Sequence, residues 1–307
     1  MKKAMTIESK NNNYINNKPI LTLVSEYREQ YGDLEKGIEF IDVNLFQKII
    51  LEHYNSYKRE FPWRDNCTAY EIFISEVMLQ QTQTERVIEK YKEFIRKFSD
   101  INELATASLG EVITLWQGLG YNRRAGFLHR AAQMILTDYD GIIPNDPHEL
   151  IKLPGIGKAT AASIAAFAYD EPAVFIETNI RTVFIYFFFN KEDEVSDEAI
   201  FPLVELTLFR DSPSKWYSAL MDFGVMLKKN RSNPSRKSKH YVKQSPFKGS
   251  RREVRGKILR LLASKDVVSF KKILSEVSIE KDLLKSILDD LQKEGLIIKR
   301  KQSYLLP

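Results

Sequence analysis

The sequence predicts an all-α body followed by a small module of three helices and a β-hairpin. Three observations predict it. From Val43 onward apolar residues recur mostly every three or four positions, the helical period. No strongly alternating strand pattern occurs before residue 295. Beyond a polar, basic stretch at 228–252, three short helical patterns precede two short strand patterns. In chain order, residues 1–40 are polar, Asn-rich and weakly periodic, and read as a flexible extension with room for one short helix. Leu45, Ile49, Ile50 and Tyr54 then line one stripe. Ile72, Phe73, Val77 and Leu79 mark the next helix, followed by Val87, Tyr91, Phe94, Ile95 and Phe98, and by Leu128, Ala131, Ala132 and Ile135. The longest apolar run, Val183 to Phe189, reads as a buried helix. Helices are expected over Val254–Leu262, Phe270–Val277 and Lys281–Glu294, with a hairpin from Leu296–Lys299 and Ser303–Leu306, a winged-helix pattern. The expected organisation is an extension (1–40), a helical domain (41–230), a basic linker (231–252) and a winged-helix-like domain (253–307).

Composition narrows the function classes. With 43% hydrophobic and 28% charged residues over 307 positions, the chain suits one or two ordinary globular domains. Cys67 is the one cysteine, so neither an internal disulfide nor a four-cysteine zinc or iron–sulfur site is available. No apolar run nears the roughly 20 residues that span a bilayer, and no apolar stretch follows the basic start, so neither membrane anchoring nor a signal peptide is expected. A reducing, cytoplasmic, nucleoid-associated setting is the expectation. Net charge is split: residues 228–307 hold 22 Lys/Arg and 8 Asp/Glu, a net of +14, whereas 1–227 carry −9. A basic tail on an acidic body suits a polyanion partner, although it also serves solubility. Acidic residues weigh against the third module helix as a groove reader. Glu280, Asp282, Asp289, Asp290 and Glu294 face Lys281, Lys285 and Lys293 in its sequence, so the linker and the Lys299-Arg300-Lys301 wing are the better DNA candidates.

Four motifs carry chemistry. In Leu153-Pro154-Gly155-Ile156-Gly157-Lys158, the glycines permit a tight turn and close approach of backbone N–H groups to a phosphate, and the outgoing helix adds its positive end. This is a helix-hairpin-helix pattern. In Ser75-Glu76-Val77-Met78-Leu79-Gln80-Gln81-Thr82-Gln83, a carboxylate on an apolar helix is costly unless paired or working, and a polar run follows where the helix ends. Trp116-Gln117-Gly118-Leu119-Gly120-Tyr121-Asn122-Arg123-Arg124 joins glycines, an aromatic and two cations, which suits DNA-backbone contact. Phe175-Ile176-Glu177-Thr178-Asn179-Ile180-Arg181 follows about twenty residues after the hairpin. Taken singly, each has a structural reading. Glu76 would be a buried acid pairing Arg64, Glu177 a favourable acid at a helix start, Trp63 and Trp116 core, and Arg123-Arg124 a solvated face.

Taken together, SEVMLQQTQ, WQGLGY, LPGIG and ALMDFG, in this order over about residues 43 to 230, resemble the helix-hairpin-helix (HhH-GPD) DNA glycosylases, most closely the MutY-type adenine DNA glycosylases. The resemblance implies the two-lobed glycosylase fold, with the winged-helix-like module appended. It implies a monofunctional enzyme of base excision repair that flips a mispaired base, adenine first, from double-stranded DNA and hydrolyses its N-glycosidic bond. By resemblance, Glu76 is the general acid, Glu177 stands at the catalytic aspartate position and Asn179 assists it. Trp63, Arg64 and Asp222 contribute to the base pocket. Gln81, Thr82 and Gln83 enter the duplex, while Tyr121, Arg123, Arg124, Gly155, Gly157, Lys158, Arg251 and Arg252 contact DNA. A monovalent ion on the carbonyls of Ile151, Leu153 and Ile156 is also implied, with no metal held by side chains.

The sequence departs from that pattern in four places. Glu177 replaces the aspartate, moving the carboxylate by more than an ångström unless the backbone compensates. Ala159 stands where bifunctional relatives carry a lysine, so no Schiff-base lyase step is expected. The iron–sulfur cysteines are absent from the corresponding stretch, Lys228 to Tyr241, so no 4Fe-4S cluster and no other cofactor is expected. The domain that senses 8-oxoguanine is not recognisable. The alternatives are a same-fold glycosylase acting on thymine, uracil or an oxidised pyrimidine, and a non-catalytic binder of damaged DNA. A monomer is the expected state.

Overall fold

The computed structural model describes residues 20–32, 38–189, 191–230, 233–243, 246–265 and 267–307. Most of the predicted extension lies outside these residues. Its remainder includes helix α1 (Ile20–Tyr31), whose Leu23, Val24 and Tyr27 are buried. This is the one short helix for which the sequence left room, and it is packed along one face. Three apolar side chains on one face are enough to dock the helix, although the flanking Asn-rich sequence hides them.

The chain divides into two compact units, each assembled from two segments. Unit 1 comprises residues up to Glu60 and Ala165–Lys243. It holds α1, α2 (Val43–Tyr57), α10 (Thr178–Phe188), α11 (Asp197–Leu206) and α12 (Pro213–Asn230). An aromatic cluster forms its centre: Phe46 of α2 lies 5.0 Å from Phe187, 5.3 Å from Phe188 and 5.9 Å from Trp216, and Tyr27 lies 5.6 Å from Phe187. Ring pairs at these distances add to the stabilisation from burial alone. Asp42 caps α2 through the Leu45 N–H at 2.9 Å. The predicted linker begins inside this unit. A 3₁₀ turn at Pro234–Lys237 buries Ser235 and Ser238, and Val195 exchanges backbone bonds with it, donating to Lys237 O (2.8 Å) and accepting from Lys239 N (2.9 Å).

Unit 2 comprises Phe61–Ile164 and Gln244–Pro307. Its helices are α3 (Ala69–Leu79), α4 (Thr84–Lys97), α5 (Ile101–Thr106), α6 (Leu109–Leu115), α7 (Arg123–Asp138), α8 (Pro147–Leu150), and α13 to α15 of the C-terminal module; α9 (Lys158–Tyr169) begins here and continues into unit 1. Capping boxes at Thr68/Glu71 and Ser108/Glu111 start α3 and α6. The module is a winged helix as expected: α13 (Arg251–Ala263), α14 (Phe270–Val277) and α15 (Lys281–Lys293) pack through Ile258, Leu259, Ile273, Leu284, Ile287, Leu288 and Leu291. Its three-stranded antiparallel sheet runs in the order β1 (Val268–Ser269), β3 (Ser303–Leu305), β2 (Ile298–Arg300), with Val268 opposite Tyr304 and Arg300 opposite Ser303. The two-residue β1 is too short to leave an alternating signature in sequence. The module is fastened to the helices before it. An added Cβ at Gly126 would lie 3.2 Å from Leu296 Cδ2, and Gly110 N–H donates to Pro307 O at 2.9 Å.

Candidate active site

The hairpin turn links α8 to α9. Gly155 has φ +81, and a Cβ there would lie 2.7 Å from Phe127 Cβ, so only glycine fits both the backbone and the contact with α7. Gly157 accepts from Ala161 N–H at 2.8 Å, which starts α9, and Gly155, Gly157 and Lys158 are all exposed. The first N–H groups of a helix lack intrahelical partners, so this exposed start is suited to a phosphate. Leu153 O accepts the Ile156 N–H at 3.1 Å and keeps a second lone pair, a donor set compatible with the monovalent ion implied at Ile151, Leu153 and Ile156.

Helix α3 carries Glu76, half-buried, with Oε2 accepting the Ser163 hydroxyl at 2.5 Å. Ser163 Oγ is also 3.0 Å from Thr160 O, its own i−3 carbonyl. One hydroxyl proton with two acceptors in reach allows a proton on Glu76: Ser163 then donates to Thr160 O and accepts from the carboxylic acid. At the end of α3, Gln80 Nε2 donates to Gly155 O (3.2 Å) and Thr160 Oγ1 (3.1 Å), tying this helix to the hairpin. Gln81 follows, exposed and at φ +53, a strained conformation for a side-chain-bearing residue. Gln83 is exposed and Thr82 half-buried.

In unit 1 Glu177 is the N-cap of α10. Its Oε1 accepts Asn179 N–H at 2.7 Å and Ile180 N–H at 2.8 Å, and its Oε2 accepts Asn179 Nδ2 at 3.2 Å. Lys228 Nζ donates to Asn179 Oδ1 at 2.8 Å. Burial pushes the Glu177 carboxyl above the usual carboxylate range, against the amides of Asn179 and Ile180 and the charges of Lys228 and Arg181. The same burial lowers the Lys228 ammonium, and Glu177 opposes it.

The HhH-GPD superfamily of base excision DNA repair proteins matches residues 74–206, which span both carboxylate motifs and the hairpin. The central stretch of this chain is thus similar to HhH-GPD base excision repair domains. Among curated proteins it is similar to the adenine DNA glycosylase of Buchnera aphidicola subsp. Baizongia pistaciae, 35% identical over 60% of this chain and 53% of that protein. It is likewise 35% identical to that of Mycolicibacterium smegmatis, over 60% of this chain and 63% of that protein. The chain thus spans little more than half the length of the first of these. A solved thermostable thymine-DNA glycosylase aligns with a TM-score of 0.55 at 25% identity, over 62% of this chain and 90% of that one.

Around these motifs the structure gives the remaining predicted site residues their partners, and in one case, Arg124, it corrects the sequence reading. Arg124 is buried, not a phosphate contact. Its Nη1 donates to the Val77 and Met78 carbonyls (2.8 and 2.9 Å) at the end of α3, and its Nη2 to Thr82 Oγ1 (2.8 Å) and Gly120 O (3.2 Å). A cation is favourable at a helix C-terminus, where carbonyls lack partners, so Arg124 braces the segment behind Gln81. Burial pulls its pKa down to about 10, leaving it charged at neutral pH. Asp222 is buried and bound by Arg59, whose Nε donates to Oδ1 at 2.6 Å and whose N–H donates to Oδ2 at 3.0 Å. Sequence reasoning missed Arg59, because a partner 163 residues away leaves no local signal. Trp63 is 7% exposed, stacked on Phe61 at 5.2 Å, and Arg64 lies over the other aromatic of that pair, 4.9 Å from the Phe61 centroid. Tyr121 (φ +46) accepts from Arg252 Nη1 at 3.0 Å, and Arg251 pairs with Asp290 at 2.6 Å. Arg123 is exposed, its guanidinium over Phe127 at 4.9 Å. Two acids of α15, Asp282 and Asp290, pair with Lys285 and Arg251, and Glu294 just after the helix pairs with Arg255.

Among the described residues no group of three or more His, Cys, Asp or Glu is placed to hold a metal. The stretch from Lys228 to Tyr241 does not fit a cysteine-ligated cluster: it offers no thiolate, and its turn is pinned to Val195 instead. No described helix is long and apolar enough to cross a membrane.

Proposed function

We propose that this chain is a monofunctional, cluster-free DNA glycosylase that removes adenine mispaired in double-stranded DNA. The observation that carries the reading is Glu76, a half-buried carboxyl held by the Ser163 hydroxyl on the motif helix α3, within the stretch that matches the HhH-GPD superfamily. The adenine glycosylases at 35% identity support the target. Once the base is extrahelical, Glu76 donates a proton to an adenine ring nitrogen while the N-glycosidic bond breaks and its electron pair leaves with the base. Ionised Glu177 stabilises the positive charge developing on the sugar. Water adds at C1′, and loss of its proton leaves the abasic site. Asn179 holds the Glu177 carboxylate, Gln81 occupies the vacated position in the duplex, and Lys158 with the hairpin amides clamps phosphate. A monovalent ion on the carbonyls of Ile151, Leu153 and Ile156 would add positive charge at that clamp. Ala159 offers no amine, so the strand stays intact until alkali is added. The thymine-DNA glycosylase at TM-score 0.55 supports thymine or uracil as the second reading for the target.

A panel of duplexes, each with one lesion or mismatch, tests both readings. It contains adenine opposite guanine or 8-oxoguanine, thymine or uracil opposite guanine, and an oxidised pyrimidine. Alkali-dependent cleavage at adenine is expected; cleavage only at a pyrimidine transfers the assignment to the second reading. Tight binding with no base release from any duplex leaves the damage-binder reading.

A further inference from the structure

In the chain, Lys228 opens the stretch that stands in for a cluster loop, and in the structure it turns back into unit 1. Its Nζ donates to Asn179 Oδ1 at 2.8 Å, which fixes the orientation of the Asn179 amide. With the oxygen held by the ammonium, the amide nitrogen must face Glu177, and Nδ2 lies 3.2 Å from Oε2. The backbone geometry enforces the same arrangement from below. Gly224, one helical turn before Lys228 on α12, lies so close to Asn179 that an added Cβ would stand 2.4 Å from Asn179 O. Helix α12 therefore approaches α10 at its first turn, and Lys228 meets the end of the Asn179 side chain.

We infer that Lys228 is a positioning residue for the Glu177 carboxylate, acting through Asn179 and supplying in cluster-free form a fixed positive charge beside it. The inference rests on the catalytic role proposed for Glu177. The cations acting on the carboxylate are Lys228 and Arg181, Arg59 lies near Lys228, and both arginines have acidic partners of their own. Arg181 forms a bidentate pair with Asp197 (2.7 Å on both arms), and Arg59 binds Asp222. Lys228 is thus the cation whose side chain bonds directly to the Glu177–Asn179 pair. It also accounts for the longer acid: Glu reaches both the helix amides with one oxygen and the Asn179 amide with the other, provided that Asn179 is held.

The test is Lys228→Met beside Lys228→Arg in the full chain, with two readouts. The first is the single-turnover rate of base release against pH, together with duplex affinity. Lys228→Met should slow release roughly tenfold or more, as expected for a misplaced catalytic group. It should shift the acid limb of the profile upward by about one pH unit, because loss of a neighbouring cation favours the neutral acid. Duplex affinity should be unchanged, and Lys228→Arg should recover most of the rate. The second readout needs no turnover: the ¹³C titration of Glu177 in the free protein, assigned with Glu177→Gln. It should move to higher pH in Lys228→Met. An unmoved Glu177 titration in folded Lys228→Met overturns the inference. A shifted titration in a protein whose wild type releases no base upholds it and refutes the glycosylase reading instead.

Discussion

Substituting Gly224 by alanine tests whether the packing of α12 against the start of α10 sets the geometry of Glu177. In an exposed helix Gly→Ala gains about 1 kcal/mol of stability from propensity. Here the new methyl would meet Asn179 O at 2.4 Å, Asn179 Cβ at 2.8 Å and Asn179 C at 2.9 Å. Two of these atoms are backbone and cannot rotate away. Relief to an ordinary contact near 3.4 Å therefore requires the helices to part by about 1 Å, an overpacking change that costs about 1–3 kcal/mol. The clash outweighs the propensity gain. Because Asn179 moves with the backbone that caps onto Glu177, a displacement of this size should also lower the rate on the order of 100-fold. Thermal unfolding should show a Tm lowered by several degrees, and single-turnover base release should fall at saturating enzyme. A Gly224→Ala protein with wild-type Tm and wild-type rate would refute the reasoning.

Three further outcomes are expected. Glu177→Asp should keep its stability, since aspartate caps a helix well. It should nevertheless release base about 10- to 100-fold more slowly, because the shorter acid cannot serve the α10 amides and Asn179 Nδ2 together; faster release would show an unmodified aspartate pocket. Lys158→Ala should reduce the dependence of log affinity on log salt by about 0.9, one phosphate contact, and an unchanged slope would remove Lys158 from the interface. Arg124→Ala should instead destabilise the fold by about 2–4 kcal/mol, stranding the Val77 and Met78 carbonyls; a protein of normal Tm with a reduced salt slope would restore the phosphate role.

The parts of this molecule legible in sequence are those with a local signature. The hairpin turn was readable because two glycines and a proline sit between apolar helices, and Gly155 does occupy positive φ. The winged helix was readable from three periodic segments and two short strand patterns. Glu177 at a helix start was readable as a favourable acid, and it is indeed the α10 N-cap. What escaped were long-range pairings: Arg59 with Asp222, Ser163 with Glu76 at a separation of 87 residues, and Lys228 with Asn179 at 49. Arg124 was misassigned because adjacent arginines look alike in sequence, while helical geometry turns one outward over Phe127 and the other inward onto the end of α3. Room for one short helix was left in residues 1–40, but the docking of α1 was not legible, because its three core residues lie in a polar segment.

The central claim is that Glu76 delivers the proton that releases the base. Its most direct measurement is single-turnover release of adenine from a mismatched duplex by wild type and Glu76→Gln, alongside the affinity of each for that duplex. Glutamine keeps the shape and the contact with Ser163 but cannot supply the proton. Wild type should yield free adenine and an abasic strand that breaks only in alkali, while Glu76→Gln binds equally well and releases none. Equal release rates from the two proteins would contradict the account.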